Sequence, residues 1–228
     1  MKNSTAIITG CLTGLGKAFT ENLLQRGWNI IGVSRTEIPP GWIKDDEHIH
    51  YISGSVAEDA TVNAAFNVAA ESGSLKLVIN CAGVGVFGEV GNYTSSDIDV
   101  AVEGNLAGLI MFSDTAVRHY RDKEVTIVNV MSTAAKKQRA LETVYTAVKW
   151  GAKAYTRTLR DALKSEKSPI RIIEVYPCGM HTEFWDKAVR PLTDGNSFPR
   201  PDPIANTVLE SVLADADSYV QEFTFERS

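Results

Sequence analysis

The spacing of apolar residues along this chain switches repeatedly between two patterns. Short blocks place apolar residues side by side: "TAIIT" (5–9), "NIIGVS" (29–34), "HYI" (50–52), "KLVIN" (76–80), "VTIVNV" (125–130) and "IRIIEVY" (170–176). Apolar residues at consecutive positions are what a strand covered on both faces requires. Between these blocks, residues 14–26, 58–72, 94–120, 143–165 and 204–214 carry helical spacing. "YVQEFTF" (219–225) reads as a last strand. Strand and helix in alternation imply βαβ units, a parallel sheet and right-handed crossovers. The expected fold is therefore α/β, a doubly wound, mostly parallel seven-stranded sheet with helices on both faces.

The 228 residues suit one large domain over 1–228. No repeat, low-complexity tract or interdomain linker interrupts them. "EIPPGW" (37–42) reads as a loop after the second strand, and "RPLTDGNSFPRPDP" (190–203) is long and irregular. A mobile substrate loop is expected over 182–203. The net charge of −5 argues against a nucleic-acid partner, which demands a basic field. No apolar run approaches the roughly 18 residues that cross a bilayer. "MKNSTAIITG" leaves no room for a signal h-region, so a cytoplasmic protein without a membrane partner is expected. The three cysteines, Cys11, Cys81 and Cys178, are odd in number and show no ligand spacing, which supports neither a disulfide framework nor a metal site. Each follows a strand, at the edge where such sheets bind cofactors.

"TGCLTGLG" (9–16) joins the first strand to the first helix. Gly10 permits a sharp turn, Gly14 admits a pyrophosphate close to the backbone, and Gly16 lets helix and sheet approach. Free N–H groups at the helix start, from Thr13, Gly14 and Leu15 onward, suit phosphate. Strand–turn–helix is the context that a dinucleotide site needs. A second feature lies in "YTAVK" (145–149). Tyr145 and Lys149 are four apart and so neighbours on a helix face. A cation within about 4–6 Å favours phenolate, so Lys149 is expected to bring the tyrosine toward neutral pH.

The G-x-x-x-G-x-G spacing, taken with Tyr145 and Lys149, resembles the short-chain dehydrogenase/reductase family. Other marks fall in the same order: "NCAG" (80–83), Asn105 in "EGNLAG" (103–108), Ser132 thirteen residues before Tyr145, and "PCGMHT" (177–182). The resemblance implies a Rossmann-type fold and hydride exchange between a nicotinamide and a carbonyl or secondary alcohol. It implies Tyr145 as general acid or base, Ser132 orienting the substrate oxygen, Lys149 on the nicotinamide ribose and Asn105 holding a water. Asn80, Ala82, Gly83, Pro177, Gly179 and Thr182 would line the cofactor, and a homodimer or homotetramer would form through the two long helices.

No acid ends the second strand. Ser34, Arg35 and Thr36 offer hydroxyls and a guanidinium suited to a 2′-phosphate, so NADP(H) is expected, with NAD(H) as the alternative. Ser55-Val56 stands where the family usually has Asp-Val, which weakens the adenine contact. Stretches 84–94, 133–144 and 180–203 should surround the substrate. Lys136, Lys137 and Arg139 admit two readings, steering of an anionic substrate or a solvated loop. Phe184, Trp185 and Phe198 suit an apolar lid. A nucleotide-sensing regulator or scaffold without turnover is the alternative function; the full Asn105, Ser132, Tyr145 and Lys149 set favours the enzyme.

Overall fold

The computed structural model describes residues 4–193, 195–214 and 218–227. Asp194, inside the expected substrate loop, lies outside the described residues. Seven strands form one sheet: β1 (Thr5–Thr9), β2 (Asn29–Ser34), β3 (Ile49–Ser53), β4 (Leu75–Asn80), β5 (Thr126–Val130), β6 (Arg171–Tyr176) and β7 (Glu222–Thr224). Their order is β3-β2-β1-β4-β5-β6-β7, with every pairing parallel. This is the Rossmann-type doubly wound sheet. Strand order reverses between β1 and β4, which opens a crevice at their carboxyl ends.

Strand alternation divides the core. Ala6 and Ile8 face one side of β1, against Leu15, Phe19 and Leu23 of α1 (Gly14–Gln25) and Ile204, Val208 and Leu209 of α7 (Pro201–Val212). Ile7 faces the other side, against Val62 and Phe66 of α3 (Asp59–Ser72), Phe112 and Ala116 of α5 (Gly108–Tyr120) and Leu163 of α6 (Thr143–Ser165). Each large apolar side chain buried this way contributes about 1.5–3 kcal/mol. A short α2 (Gly41–Lys44) lies within the Pro-rich loop after β2, where the sequence suggested only a loop. The last long helix starts earlier than its spacing implied because Pro201, whose missing N–H is no loss there, opens it.

Residues 95–120 do not form one regular helix. α4 (Ser95–Val102), set by a Thr94/Asp97 capping box, runs into a π-helical turn at Glu103–Ala107 before α5. The cause is Asn105. Its side-chain amide donates to the carbonyl of Ala101 at 3.0 Å, intruding on the regular backbone ladder. This continuous 95–120 stretch is long and apolar enough to cross a bilayer, yet half of its apolar window is buried within the fold.

The short edge strand β7 is tied down by charge. Glu174 of β6, fully buried, takes Arg160 at 2.7 Å and Arg157 at 3.1 Å, and the Tyr176 hydroxyl donates to it. Arg157 and Lys136 both reach Glu222 on β7. That anchoring sets where the following residues, Glu226 and Arg227, come to lie.

Candidate active site

A cleft of about 990 Å³ runs along the carboxyl ends of the strands. Gly10, Thr13, Gly14, Leu15 and Gly16 line it, with Ser34, Arg35, Thr36, Ser55 and Val56 beyond β2 and β3. Ala82, Gly83, Ser132, Tyr145, Lys149, Pro177, Gly179 and Thr182 line it as well.

The glycine turn depends on the absence of side chains. Gly14 has φ 54, a left-handed conformation that favours glycine. A Cβ on Gly16 would stand 2.1 Å from the Gly10 carbonyl oxygen, so this helix can approach the strand end only with glycine there. The hydroxyl of Thr9, at the end of β1, accepts from the N–H groups of both Cys81 and Ala82 at 3.1 Å, which locks the β4 end against the turn.

Asn80 and Asn105 do not reach the cleft wall. Asn80 is buried behind it, donating to Asn129 at 2.8 Å and Ser113 at 3.0 Å. Asn105, also buried, accepts from the N–H of Val84 at 3.2 Å and donates to the Val84 carbonyl at 2.9 Å. Both side chains brace the segment after β4. The Asn105 amide is thus engaged with the backbone through both its oxygen and its nitrogen.

Ser132 follows β5 in extended conformation, and its hydroxyl accepts from the Ala134 N–H at 3.1 Å. Tyr145 and Lys149 lie on one face of α6, both buried, with the ammonium 5.7 Å from the phenol ring centroid. In the chain by itself the electrostatics run in the other direction. Burial is the largest influence on Tyr145 and pushes its phenol well above the ordinary range. Ser132 and Arg139 pull it down, while Glu142 pushes it further up. Lys149 does not figure among these influences. Burial instead lowers Lys149 itself to about 8, against an opposing pull from Cys81. Two groups desolvated together each favour the neutral form. Among the described residues the Lys149 ammonium makes no hydrogen bond or ion pair, so its donors face the cleft uncommitted.

The side chains toward the far end are aromatic. Tyr145 meets Phe87 edge-on at 5.4 Å and Phe184 at 6.0 Å. Phe87 stacks on Trp185 at 5.8 Å, and Trp185 meets Phe198 at 5.3 Å. Several contacts join this segment to the rest of the fold: Val86 and Val189 bridge in parallel, Trp185 donates to the Met180 carbonyl at 2.9 Å, and Arg190 reaches both Phe87 and Asp97. Phe87, Glu142, Glu226 and Arg227 are cleft residues that sequence reasoning missed. The first two fell inside stretches expected to surround the substrate. The last two come from the C-terminal strand, which carried no chemical signal.

The cations that admitted either anion steering or a solvated loop are engaged by acids. Lys136 pairs with Glu222, Lys137 with Glu226 at 2.7 Å and Arg139 with Glu142 at 3.4 Å. Cys81 and Cys178 line the cleft, whereas Cys11 packs into the core. Burial pushes the thiols of Cys11 and Cys81 up to about 12, so neither is an activated nucleophile.

This geometry fits an elongated, phosphate-bearing ligand: a glycine turn with its free N–H groups, Arg35 at the β2 end with no acid beside it on the wall, and an uncommitted buried ammonium. Comparison with known proteins agrees. The short chain dehydrogenase family matches residues 4–192, so the chain belongs to that family of oxidoreductases. It is 28% identical over 214 residues to carbonyl reductase family member 4 of Danio rerio, covering 90% of this chain and 89% of that one. It is 22% identical to an uncharacterized oxidoreductase of Bacillus subtilis, covering 82% of this chain but only 55% of that protein. Among solved structures, a short-chain dehydrogenase/reductase from Vibrio parahaemolyticus superposes with a TM-score of 0.82 at 28% identity, covering 96% of this chain and 98% of that one. An alcohol dehydrogenase from Thermococcus sibiricus, complexed with 5-hydroxy-NADP, shares the fold with a TM-score of 0.85 at 20% identity, covering 97% and 95%.

Proposed function

We propose that this chain reduces a carbonyl to a secondary alcohol, and catalyses the reverse, using NADP(H) in preference to NAD(H). The observation that carries the reading is the meeting of Ser132, Tyr145 and Lys149 in one cleft with the glycine turn at one end and an aromatic pocket at the other. The bound nicotinamide supplies the hydride for reduction, or accepts it in the reverse direction.

The chain's own residues manage the oxygen and its proton. The Ser132 hydroxyl and the Tyr145 phenol bracket the position of the substrate oxygen. Reduction places negative charge there, and an alkoxide is far more basic than a phenolate. A phenol held protonated by burial is therefore a competent general acid in this direction. Lys149, at about 8, still keeps its proton at neutral pH and places positive charge beside the developing anion. The aromatic wall excludes water, which strengthens both effects. Ser34, Arg35 and Thr36 would receive the 2′-phosphate, with Arg35 able to grip two of its oxygens.

The names of relatives lean the same way, since carbonyl reductase and L-xylulose reductase both stand among proteins of similar sequence. The test is a panel of ketones and aldehydes supplied with NADPH or NADH while nicotinamide absorbance is followed. Consumption faster with NADPH is expected for some members. If no carbonyl accelerates oxidation of either cofactor above the blank, the proposal fails.

A further inference from the structure

Glu142 has no part in the scheme above, yet three observations set it apart. It occupies the N-cap position of α6, where its side chain makes no capping hydrogen bond. Its carboxylate is only 9% exposed and lines the cleft. Its one partner among the described residues is Arg139, whose guanidinium stands 3.4 Å away, long for a hydrogen bond. A buried carboxylate is ordinarily well supplied with donors. This one holds acceptor capacity in reserve, facing a cavity.

The preceding residue shows how the chain turns it inward. Leu141 has φ 67, a left-handed conformation that a branched side chain rarely adopts. Its carbonyl accepts from the Gly88 N–H at 2.8 Å and from the Tyr93 hydroxyl at 3.3 Å, which fixes the turn. Backbone strain maintained by its surroundings is a mark of a functional position.

We propose that Glu142, with Arg139, recognises a neutral hydroxyl carried by the substrate one or two carbons from the reacting carbonyl. This inference rests on carbonyl reduction at Tyr145. Side chains three apart on a helical turn have Cβ atoms about 5–6 Å apart, which matches that reach. The carboxylate accepts the hydroxyl proton, and the guanidinium donates to the same oxygen or to its neighbour. Charge selects a neutral group. Lys137, Arg139, Lys187 and Arg227 line the same cleft as Glu142 and Glu226, so a substrate ammonium meets an excess of cations. A substrate carboxylate placed on the pair would lie against Glu142, whereas a hydroxyl can donate to Glu142 and accept from Arg139. The substrate class is thus hydroxy-carbonyl compounds.

Matched ketones that differ only in the hydroxyl give the test: acetoin against butanone, and 2-hydroxyacetophenone against acetophenone. The hydroxyl alters intrinsic reactivity as well, so the readout is how the ratio of kcat/KM within each pair changes on substitution. Glu142→Ala is expected to lower that ratio by about tenfold, the scale of one hydrogen bond to a charged group. Glu142→Gln, which keeps an acceptor, should lower it less. Circular dichroism and cofactor titration establish that both variants fold. A ratio indifferent to residue 142, with ketones still reduced, overturns the assignment of Glu142 alone. Wild-type protein that reduces none of the four ketones overturns the inference together with the carbonyl reading beneath it.

Discussion

At the cofactor end of the cleft the wall is largely backbone, and at the substrate end it is side chain. Gly10, Gly14 and Gly16 come from eight consecutive residues and act by what they lack. Phe87, Glu142, Tyr145, Trp185, Phe198 and Arg227 come from segments far apart in the chain and act by what they carry. A backbone site can be inherited whole by a fold, since its geometry follows from one strand–turn–helix unit. A side-chain site must be assembled from loops that vary independently. Under the proposed function, one end would set the cofactor and the other the substrate.

Three substitutions probe this division. The largest effect belongs to Tyr145→Phe, which removes the proposed proton donor without touching the glycine turn. It should lower kcat/KM by about a hundred- to ten-thousandfold. NADPH affinity, measured by fluorescence titration, should move by no more than about twofold, and a parallel loss of affinity would mean that the two ends are not separable. Next comes Lys149→Met, read as stability against pH. Lys149 titrates at about 8 in the folded chain and ordinarily near 10.5. Below pH 8 the fold bears the full penalty of a buried ammonium. From pH 8 toward 10.5 the unfolded chain binds that proton and the native one does not, so stability rises by up to about 1.4 kcal/mol per pH unit. The difference between wild type and Lys149→Met in urea midpoint should climb between pH 8 and 9.5; curves that stay parallel would place the ammonium in water. Smallest is Arg35→Ala, expected to weaken NADPH about tenfold and leave NADH nearly unchanged. Equal weakening of both would assign Arg35 to a part common to the two cofactors and remove the basis for NADP preference.

Much of the fold was legible because buried parallel strands announce themselves as apolar runs and the glycine turn is contiguous. The positions of Ser132, Tyr145 and Lys149 were legible for a similar reason, as each stands at a fixed place relative to a strand end or a helix face. What escaped depended on tertiary surroundings. The direction of the Tyr145 shift is decided by burial on α6, which spacing does not report. Asn80 and Asn105 looked like cleft residues until their amides were found bonded behind the wall. Glu142 stood out from its stretch by no pattern of its own and Arg227 carried none at all; the Leu141 turn and the anchoring of β7 precede them on the way to the cavity.

The π-helical turn at Glu103–Ala107 gives the stretch from Ser95 to Tyr120 a built-in slip of phase. Each residue advances a regular helix by about 100°. Five residues at the wider π winding turn about as far as four in a regular helix, so the turn holds one extra residue while the Phe112 and Ala116 stripe stays on the sheet. A single deletion within Glu103–Ala107 can thus be absorbed by a return to ordinary winding, whereas the same deletion inside α4 or α5 would rotate the residues beyond it by about 100°.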